Sequence, residues 1–214
     1  MIMQLAVLSN ESLKQEFLAT GVQEGVEINW ISTEAEFLQL KNADAFFDLL
    51  FHPDNERIEI LKSLAHKPVF INDVLNNKPA NGAFIRLNGW STFLQRNILE
   101  ASCPNESVKN KAATIMNALN RNIEWTPDIP GFISARVLSM IINEAYFTLG
   151  EEVSSKKDID IAMKLGTNYP IGPFEWSEKI GLINIYSLLV ELSKSNKRFT
   201  PSPLLKKEAL QECL

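Results

Sequence analysis

The sequence predicts a chain of two parts, a small doubly wound α/β sheet followed by an all-helical bundle. In the first part, short apolar runs alternate with amphipathic stretches, which is the pattern of strands joined by crossover helices. From Pro130 onward the strand pattern stops and helix signals dominate. We therefore expect an α/β domain at residues 1–127 and a helical domain at residues 128–214.

Strands and helices alternate along the α/β domain. The apolar runs predict strands at 4–8, 26–31, 45–51, 68–71 and 83–87. The amphipathic stretches predict helices at 11–20, 33–41, 55–66 and 106–119. Because strand, helix and strand follow one another, we expect parallel pairing through right-handed crossovers. That topology is a shortened Rossmann-like sheet.

The helical domain opens with a helix that is apolar over a wide arc. Ile133 and Met140 recur at helical spacing, and Gly150 is expected to end this helix in the left-handed conformation. The segment Ser-Lys-Lys-Asp at 155–158 has capping-box spacing and predicts a second helix that stops at Gly166.

Two further helices are predicted from proline and glycine positions. Pro173 suits the first turn of a helix, and Gly181 suits its end. The apolar run at 182–192 predicts the next helix.

Composition and charge narrow the class of protein. The 214 residues carry 21 basic and 26 acidic side chains, a formal charge of −5, which argues against nucleic-acid binding through bulk charge. No apolar run reaches the roughly 18 residues of a membrane helix. The first residues also lack the basic start and cleavage site of a signal peptide. We therefore expect a cytoplasmic protein with no nucleic-acid or membrane partner.

Cysteine and histidine are scarce. The chain holds Cys103 and Cys213, and its histidines are His52 and His66. Their spacing fits neither a disulfide framework nor a zinc site. We therefore expect no metal.

Ordered motifs in the helical domain resemble a known family. They are Asp-Ile-Pro-Gly-Phe-Ile at 128–133 with Arg136 and Asn-Glu-Ala at 143–145, Asp-Ile-Asp-Ile-Ala-Met-Lys-Leu-Gly at 158–166, Tyr-Pro-Ile-Gly-Pro-Phe-Glu at 169–175, Gly-Leu at 181–182, and Pro-Ser-Pro-Leu-Leu-Lys-Lys at 201–207. Together they resemble the C-terminal domain of the 3-hydroxyacyl-CoA dehydrogenases. The resemblance implies NAD as cofactor, a homodimer formed by the helical domain, and an acyl-CoA bound between the domains. Because the glycines and prolines also suit turns and helix ends, the motifs identify ancestry, and activity must be argued at the site.

The turn after the first strand departs from the family's NAD-binding pattern. A pyrophosphate needs glycines there so that backbone N–H groups can approach it. Ser9, Glu11 and Lys14 stand where the three glycines belong. A carboxylate about 4 Å from a phosphate charge costs roughly 4 kcal/mol at an effective dielectric of about 20, part of which Lys14 can offset. Ser32 replaces the acid that would hold the ribose hydroxyls.

The family's catalytic pair is a histidine followed twelve residues later by a glutamate. Asn88 falls on the histidine, and Glu100 falls on the glutamate. An amide does not titrate near neutral pH, so the loss of a general base is expected to cost about 10² to 10⁴ in rate. Ala135 stands where the family places a site asparagine, and residues 72–74 lack the serine expected for substrate contact.

Two functions are compatible with these residues. The first is a 3-hydroxyacyl-CoA dehydrogenase-like protein that is catalytically impaired and acts as a dimeric scaffold or as an acyl-CoA or other ligand-binding protein. The alternative is active NAD-dependent oxidation of 3-hydroxyacyl-CoA to 3-oxoacyl-CoA in fatty acid metabolism. In that case Asn88 and Glu100 would position the substrate through a water, and the cofactor would bind in an altered way.

A dimer is expected because the helical domain is more apolar than a small monomer easily hides. The candidates for its core or its interface are Ile133, Met140, Phe174 and Leu182.

Overall fold

The computed structural model describes residues 2–75, 83–103 and 105–211. The chain forms two compact units, Met1–Phe132 and Ile133–Leu214. The division therefore falls after Phe132, a few residues beyond the expected boundary. Cys213 lies outside the described residues.

The segment 128–132 belongs to the first unit because a buried arginine holds it there. The guanidinium of Arg86 donates to the carboxylate of Asp128 and lies 4.9 Å from the ring centre of Phe132. The amide of Gly131 also donates to the carbonyl of Val74, at 2.7 Å. The sequence motif at 128–133 therefore serves largely as a strap on the α/β unit.

A seven-stranded sheet is the centre of the first unit. Its strands are β1 (Met3–Leu8), β2 (Val26–Ile31), β3 (Ala45–Asp48), β4 (Val69–Asn72), β5 (Ile85–Leu87), β6 (Ile98–Ser102) and β7 (Asn122–Trp125). The helices are α1 (Glu11–Leu18), α2 (Asn55–Leu64) and α3 (Glu106–Ala118), with a 3-10 helix at Glu34–Gln39.

The strand order across the sheet is β2-β1-β3-β4-β5-β6-β7. Strands β1 to β5 run parallel, β6 pairs antiparallel with β5, and β7 runs parallel to β6. The chain moves from β1 outward to β2 and then crosses to β3 on the other side of β1. The topological switch point, where α/β sheets bind ligands, therefore lies between β1 and β3. The predicted Rossmann-like sheet is confirmed.

Alternating side chains of the strands fill two apolar layers, one on each face of the sheet. On the face that carries α1 and α3, the rings of Phe47 and Phe70 stack with their centres 4.3 Å apart. On the opposite face, Phe46 packs edge to face against Phe37 of the 3-10 helix, in a cluster that includes Leu61 and Leu64 of α2. Burial on both faces makes the strands read as continuous apolar runs.

The five predicted strands are all present, but the sequence prediction lacks β6 and β7. Ile98, the first residue of β6, is 58% exposed, and Glu100 interrupts the apolar pattern. β7 is a short edge strand with no buried residue. The helix predicted at 33–41 is the 3-10 helix Glu34–Gln39.

The second unit is helical in its described part, as predicted. Its elements are α4 (Ser134–Gly150), α5 (Lys156–Thr167), α6 (Pro173–Ile180), α7 (Leu182–Ser193) and α8 (Pro203–Gln211), with a 3-10 turn at Lys197–Phe199. Pro173 is the first residue of α6, and Gly181 follows it with φ +87°. Both positions were predicted.

α4 ends at Gly150, as predicted, but Gly150 is not left-handed, and the left-handed residue beyond this helix is Glu152, with φ +57°. α5 ends at Thr167, one residue after the predicted stop at Gly166, and is followed by the left-handed Asn168, with φ +56°. Asparagine tolerates this conformation through its short polar side chain, so α5 can continue past its glycine. No helix in the described ranges is long and apolar enough to span a bilayer.

Candidate functional site

Asn88 and Glu100 lie side by side at the end of β5. The side-chain amide Nδ2 of Asn88 donates to Oε2 of Glu100 at 3.1 Å, and its backbone amide donates to the carbonyl of Glu100 at 3.0 Å. The antiparallel pairing of β5 with β6 produces this contact. Asn88 is 1% exposed, and its Oδ1 has no hydrogen-bond partner among the described residues. The structure therefore brings together the two residues that the sequence placed in the family's catalytic positions.

The loop that follows Asn88 is fixed by the neighbouring strand β4. The side chain of Asn72 donates to the carbonyls of Leu49 and Gly89, both at 3.2 Å, and its Oδ1 accepts from the amide of Gly89 at 3.1 Å. A Cβ on Gly89 would lie 2.8 Å from Asn72 Cγ, so only glycine fits without movement. Residues 72–74 lack the serine expected for substrate contact. They contribute Asn72, whose hydrogen bonds hold the loop after Asn88 in place.

A second brace comes from α1. Glu16 accepts from the hydroxyl of Ser91 at 2.6 Å and from the backbone amide of Thr92 at 2.9 Å. Thr92 has φ +75°, an uncommon conformation for a β-branched residue, and its buried hydroxyl has no partner among the described residues. The backbone strain of this loop is therefore held in place by a carboxylate.

The turn from β1 to α1 closes on itself. Asn10 caps α1, accepting from the amide of Leu13 at 2.9 Å, and Ser9 donates to the carbonyl of Asn10 at 2.9 Å. Glu11 is exposed in the first turn. The ammonium of Lys14 lies 5.1 Å from the ring centre of Trp30. Ser9 and Lys14, which replace two of the family's glycines, therefore make contacts within the protein. Glu11, which replaces the third, adds an exposed carboxylate to the turn.

Ser32 follows β2 and belongs to a helix start. Its backbone amide donates to Glu36 at 3.2 Å, and Thr33 donates to the same oxygen through its amide and its hydroxyl. Hydrogen bonds from Thr33 and Ser32 hold the pKa of Glu36 below its ordinary value. Ser32 thus offers no carboxylate at the position where the family carries its ribose-binding acid.

A buried ion pair lies at the carboxyl end of β3, beside the switch point. Asp48 is fully buried and accepts from Nε of Arg57 at 2.6 Å and from its Nη2. Burial raises the pKa of Asp48, and the bonds from Arg57 offset part of that rise. Arg57 also contacts Nδ1 of His52 at 2.9 Å. Sequence reasoning missed this pair, for which the available signal was an aspartate ending an apolar strand ahead of an arginine in the next helix.

The family motifs of the second unit build a helix cap. The buried carboxylate of Asp160 in α5 accepts from the amides of Phe174 and Glu175, at 2.8 and 3.2 Å. A Cβ on Gly172 would lie 2.3 Å from Asp160 Cγ. Glu175 accepts from the amide of Gly172 at 2.9 Å and from Lys164, and these bonds lower its pKa. The motif at 158–166 and the motif at 169–175 thus contact each other through Asp160 and the first turn of α6.

The remaining motif positions of this unit are also structural. Asn143, 2% exposed, donates to the carbonyl of Thr200 at 3.0 Å and accepts from the amide of Ser202 at 2.8 Å. It therefore fixes the segment that leads into α8. Ala135 is fully buried in α4.

Within the described ranges, no group of three His, Cys, Asp or Glu side chains could hold a metal ion. His52 lies 3.0 Å from Asp54 and contacts Arg57, while His66 follows α2. Neither histidine takes the place of Asn88 beside Glu100.

These features define a doubly wound α/β unit followed by a helical unit with the helix-capping motifs described above. Residues 131–213 match the family model for the 3-hydroxyacyl-CoA dehydrogenase C-terminal domain. Residues 131–213 therefore carry a 3-hydroxyacyl-CoA dehydrogenase C-terminal domain, as the motifs predicted.

Individual relatives agree with that assignment. The chain is 37% identical over 117 residues to 3-hydroxyadipyl-CoA dehydrogenase of Escherichia coli (strain K12), a match that covers 54% of this chain and 25% of that one. It is 40% identical over 91 residues to 3-hydroxybutyryl-CoA dehydrogenase of Bradyrhizobium diazoefficiens, covering 42% and 31%. The matches therefore span about a third or less of these relatives.

The fold of the chain also has solved counterparts. The crystal structure of (S)-3-hydroxybutyryl-CoA dehydrogenase PaaH1 from Ralstonia eutropha superposes with a TM-score of 0.73, covering 97% of this chain and 93% of that chain. The two sequences are 19% identical in this alignment, so the likeness establishes the fold alone.

Proposed function

We propose that this protein binds a CoA thioester as a dimeric, catalytically impaired relative of the 3-hydroxyacyl-CoA dehydrogenases. The observation that carries the proposal is the amide of Asn88, bonded to Glu100 where the family has its base. An amide cannot accept a hydroxyl proton near neutral pH. The pair can still hold a carbonyl or a hydroxyl by hydrogen bonds, which supports binding without oxidation.

The β1–α1 turn supports the loss of the usual NAD site. Asn10 occupies the Leu13 amide, one of the helix N–H groups that a pyrophosphate would use, and the turn has no glycine. The exposed carboxylate of Glu11 would face the phosphates, with a repulsion of roughly 4 kcal/mol at about 4 Å and an effective dielectric of about 20. The ammonium of Lys14, which could offset part of this repulsion, lies over the ring of Trp30. We infer that these residues do not fit NAD in the family's manner.

A second candidate function is the active dehydrogenase with an altered site. It is favoured by the Asn88–Glu100 contact, which keeps the family's pair in hydrogen-bond reach through both side chain and backbone. In that case the site would position the substrate through a water and bind NAD differently.

Binding and turnover measured on the same preparation separate the two functions. Calorimetry with acetoacetyl-CoA is expected to show binding, while NADH at millimolar concentration should leave its fluorescence unchanged. NAD-dependent oxidation of 3-hydroxybutyryl-CoA should stay at background. Oxidation that is lost in Glu100→Ala would establish the active enzyme instead, and a lack of any CoA-thioester binding would remove the binding function.

Restoring the missing groups tests each loss separately. Asn88→His alone is expected to stay inactive, because the cofactor turn is still blocked. Combining it with glycines at Ser9, Glu11 and Lys14 should produce measurable oxidation, and Asn88→Gln in the same background is the matched control. Activity of Asn88→His alone would show that the cofactor site had been intact throughout.

A further inference from the structure

Strand β2 forms one open edge of the sheet. Its register with β1 decides which backbone groups are free. The amide of Met3 donates to the carbonyl of Gly25 at 2.8 Å, and Met3 lies opposite Val26. In a parallel ladder the bonded residues then alternate, so Glu27 and Asn29 face β1. The amides and carbonyls of the intervening Val26, Ile28 and Trp30 point outward.

Strand β2 itself lacks the residues that commonly protect an open edge. From Val26 to Ile31 the strand has no lysine, proline or glycine, the residues that commonly block pairing between open edges. Its one charged side chain is Glu27, which already accepts a hydrogen bond from Gln4. A hollow of about 460 Å³ lies beside Ile28 and Trp30, and Glu36, Gln39 and Leu40 also line it. An added strand would therefore meet the outward backbone groups of Ile28 and Trp30 and open space.

We infer that β2 is a docking edge for a second copy of this chain, whose β2 adds antiparallel about a two-fold axis at Ile28. This inference does not depend on the proposed function. Antiparallel hydrogen-bonded pairs require residues that both direct N–H and C=O outward. That condition is met when Ile28 faces Ile28 of the second copy and Val26 faces Trp30 of the second copy. The amide of Val26 donates to Gln23 at 3.3 Å, so the donors across the axis are Ile28 and Trp30 of each copy.

The side chains match in the same register. Val26, Ile28 and Trp30 share the face that packs against α1, where the Trp30 ring lies 5.8 Å from that of Phe17. Across the axis, Trp30 pairs with a valine, a favourable aromatic and β-branched combination. On the other face Glu27 meets Asn29, so no like charges are opposed. The edge is thus complementary to itself in donors, acceptors and side chains.

Light scattering after size-exclusion chromatography tests the pairing. Ile28→Pro removes an outward N–H and leaves the ladder with β1 intact, so the molar mass is expected to fall twofold. Ile28→Lys, which keeps the N–H but charges the edge, should do the same. Ile98→Lys, at another exposed isoleucine, should leave the mass unchanged. An unchanged mass in both Ile28 variants would overturn the inference.

Residue-resolved hydrogen exchange gives a second readout on the unmodified protein. The amides of Ile28 and Trp30 should exchange slowly at high protein concentration and faster on dilution. The amide of Asn29, which faces β1, should be protected at every concentration. Fast exchange of Ile28 and Trp30 at all concentrations would contradict the pairing, even if the chain associates through its helical unit.

Discussion

Three arginines in the first unit are nearly fully buried, and two of them, Arg57 and Arg121, differ in their surroundings. Arg57 makes a bidentate contact with the carboxylate of Asp48. Arg121 donates through Nη2 to the carbonyls of Glu16 and Leu94, and its Nε and Nη1 have no partner in the described ranges. Burial lowers the pKa of Arg121 to about 10. The charge of Arg57 is therefore paired with a carboxylate, whereas the hydrogen bonds of Arg121 go to neutral carbonyl groups.

Replacing each arginine by methionine should give opposite results. Arg57→Met leaves Asp48 buried without its partner, so the free energy of unfolding is expected to drop by about 3–5 kcal/mol. Arg121→Met removes an uncompensated charge along with its carbonyl contacts, so we expect a change within about 1 kcal/mol. Urea unfolding at neutral pH measures both. A large loss in Arg121→Met would show that its hydrogen bonds outweigh its desolvation.

The pH dependence of Arg57→Met has a definite sign. The bonds from Arg57 lower the pKa of Asp48 against the opposing effect of burial, so removing them raises that pKa further. The folded variant then binds a proton more tightly than the unfolded chain, and its stability falls as the pH rises. Its deficit relative to the unmodified protein should therefore shrink as the pH is lowered. A deficit independent of pH would indicate lost packing rather than an unpaired carboxylate.

The site residues were predictable one by one, because the resemblance to the family aligns each of them with a family position. Asn88 and Glu100 align with the family's histidine and glutamate, which are twelve residues apart, and the structure joins them. The spacing alone could not predict the antiparallel pairing of β5 with β6. Ile98 is exposed, so β6 lacks the apolar pattern by which a strand is recognised in the sequence. Asp48 and Arg57 were missed because their meeting depends on how α2 packs on the sheet.

At the scale of elements, the helix pair α5 and α6 depends on one carboxylate. Asp160 accepts from two amides at the start of α6, so it satisfies donors that the helix itself cannot. The sequence predicted both helices from local signals, which are the capping-box spacing at 155–158 for α5 and Pro173 and Gly181 for α6. It could not predict that Asp160 caps a different helix, because that contact joins residues fourteen positions apart.

Removing this cap should destabilise the helical unit. Asp160→Ala is expected to lower the free energy of unfolding by about 1–3 kcal/mol, because buried amides lose their acceptor. Glu178→Ala, at an exposed position of α6, is the matched control and should change it by less than about 0.5 kcal/mol. Thermal unfolding followed by circular dichroism measures the difference. Equal effects of the two substitutions would mean that Asp160 contributes no more than a surface carboxylate.

At the scale of the whole molecule, the helical unit leaves several large apolar side chains in solvent. Ile133, which precedes α4, and Val137, one turn later in α4, are 54% and 57% exposed, and Leu165 on α5 is 83% exposed. Of the residues proposed for core or interface, Phe174 and Leu182 are core, at 3% exposure each. Sequence periodicity could not separate these groups, because a buried stripe and an interface stripe have the same spacing.

We propose that the exposed apolar side chains of α4 and α5 form a homodimer interface. Val137→Glu and Leu165→Glu each place a charge on such a surface, so each should lower the molar mass by a factor of two. Because both side chains are exposed within one chain, each substitution should leave the helical unit folded, and any fall in the thermal midpoint should come from loss of the interface. Leu210→Glu on α8, 45% exposed, is the control.

Combining these variants with Ile28→Pro separates the two interfaces. If both exist, the helical and the strand substitutions each lower the mass by a factor of two, and the double variant is monomeric. If neither helical variant alters the mass, the exposed face of α4 and α5 is not a subunit interface. The remaining association would then run through β2 alone, and a dimer without helical contacts would break with what the family resemblance implies.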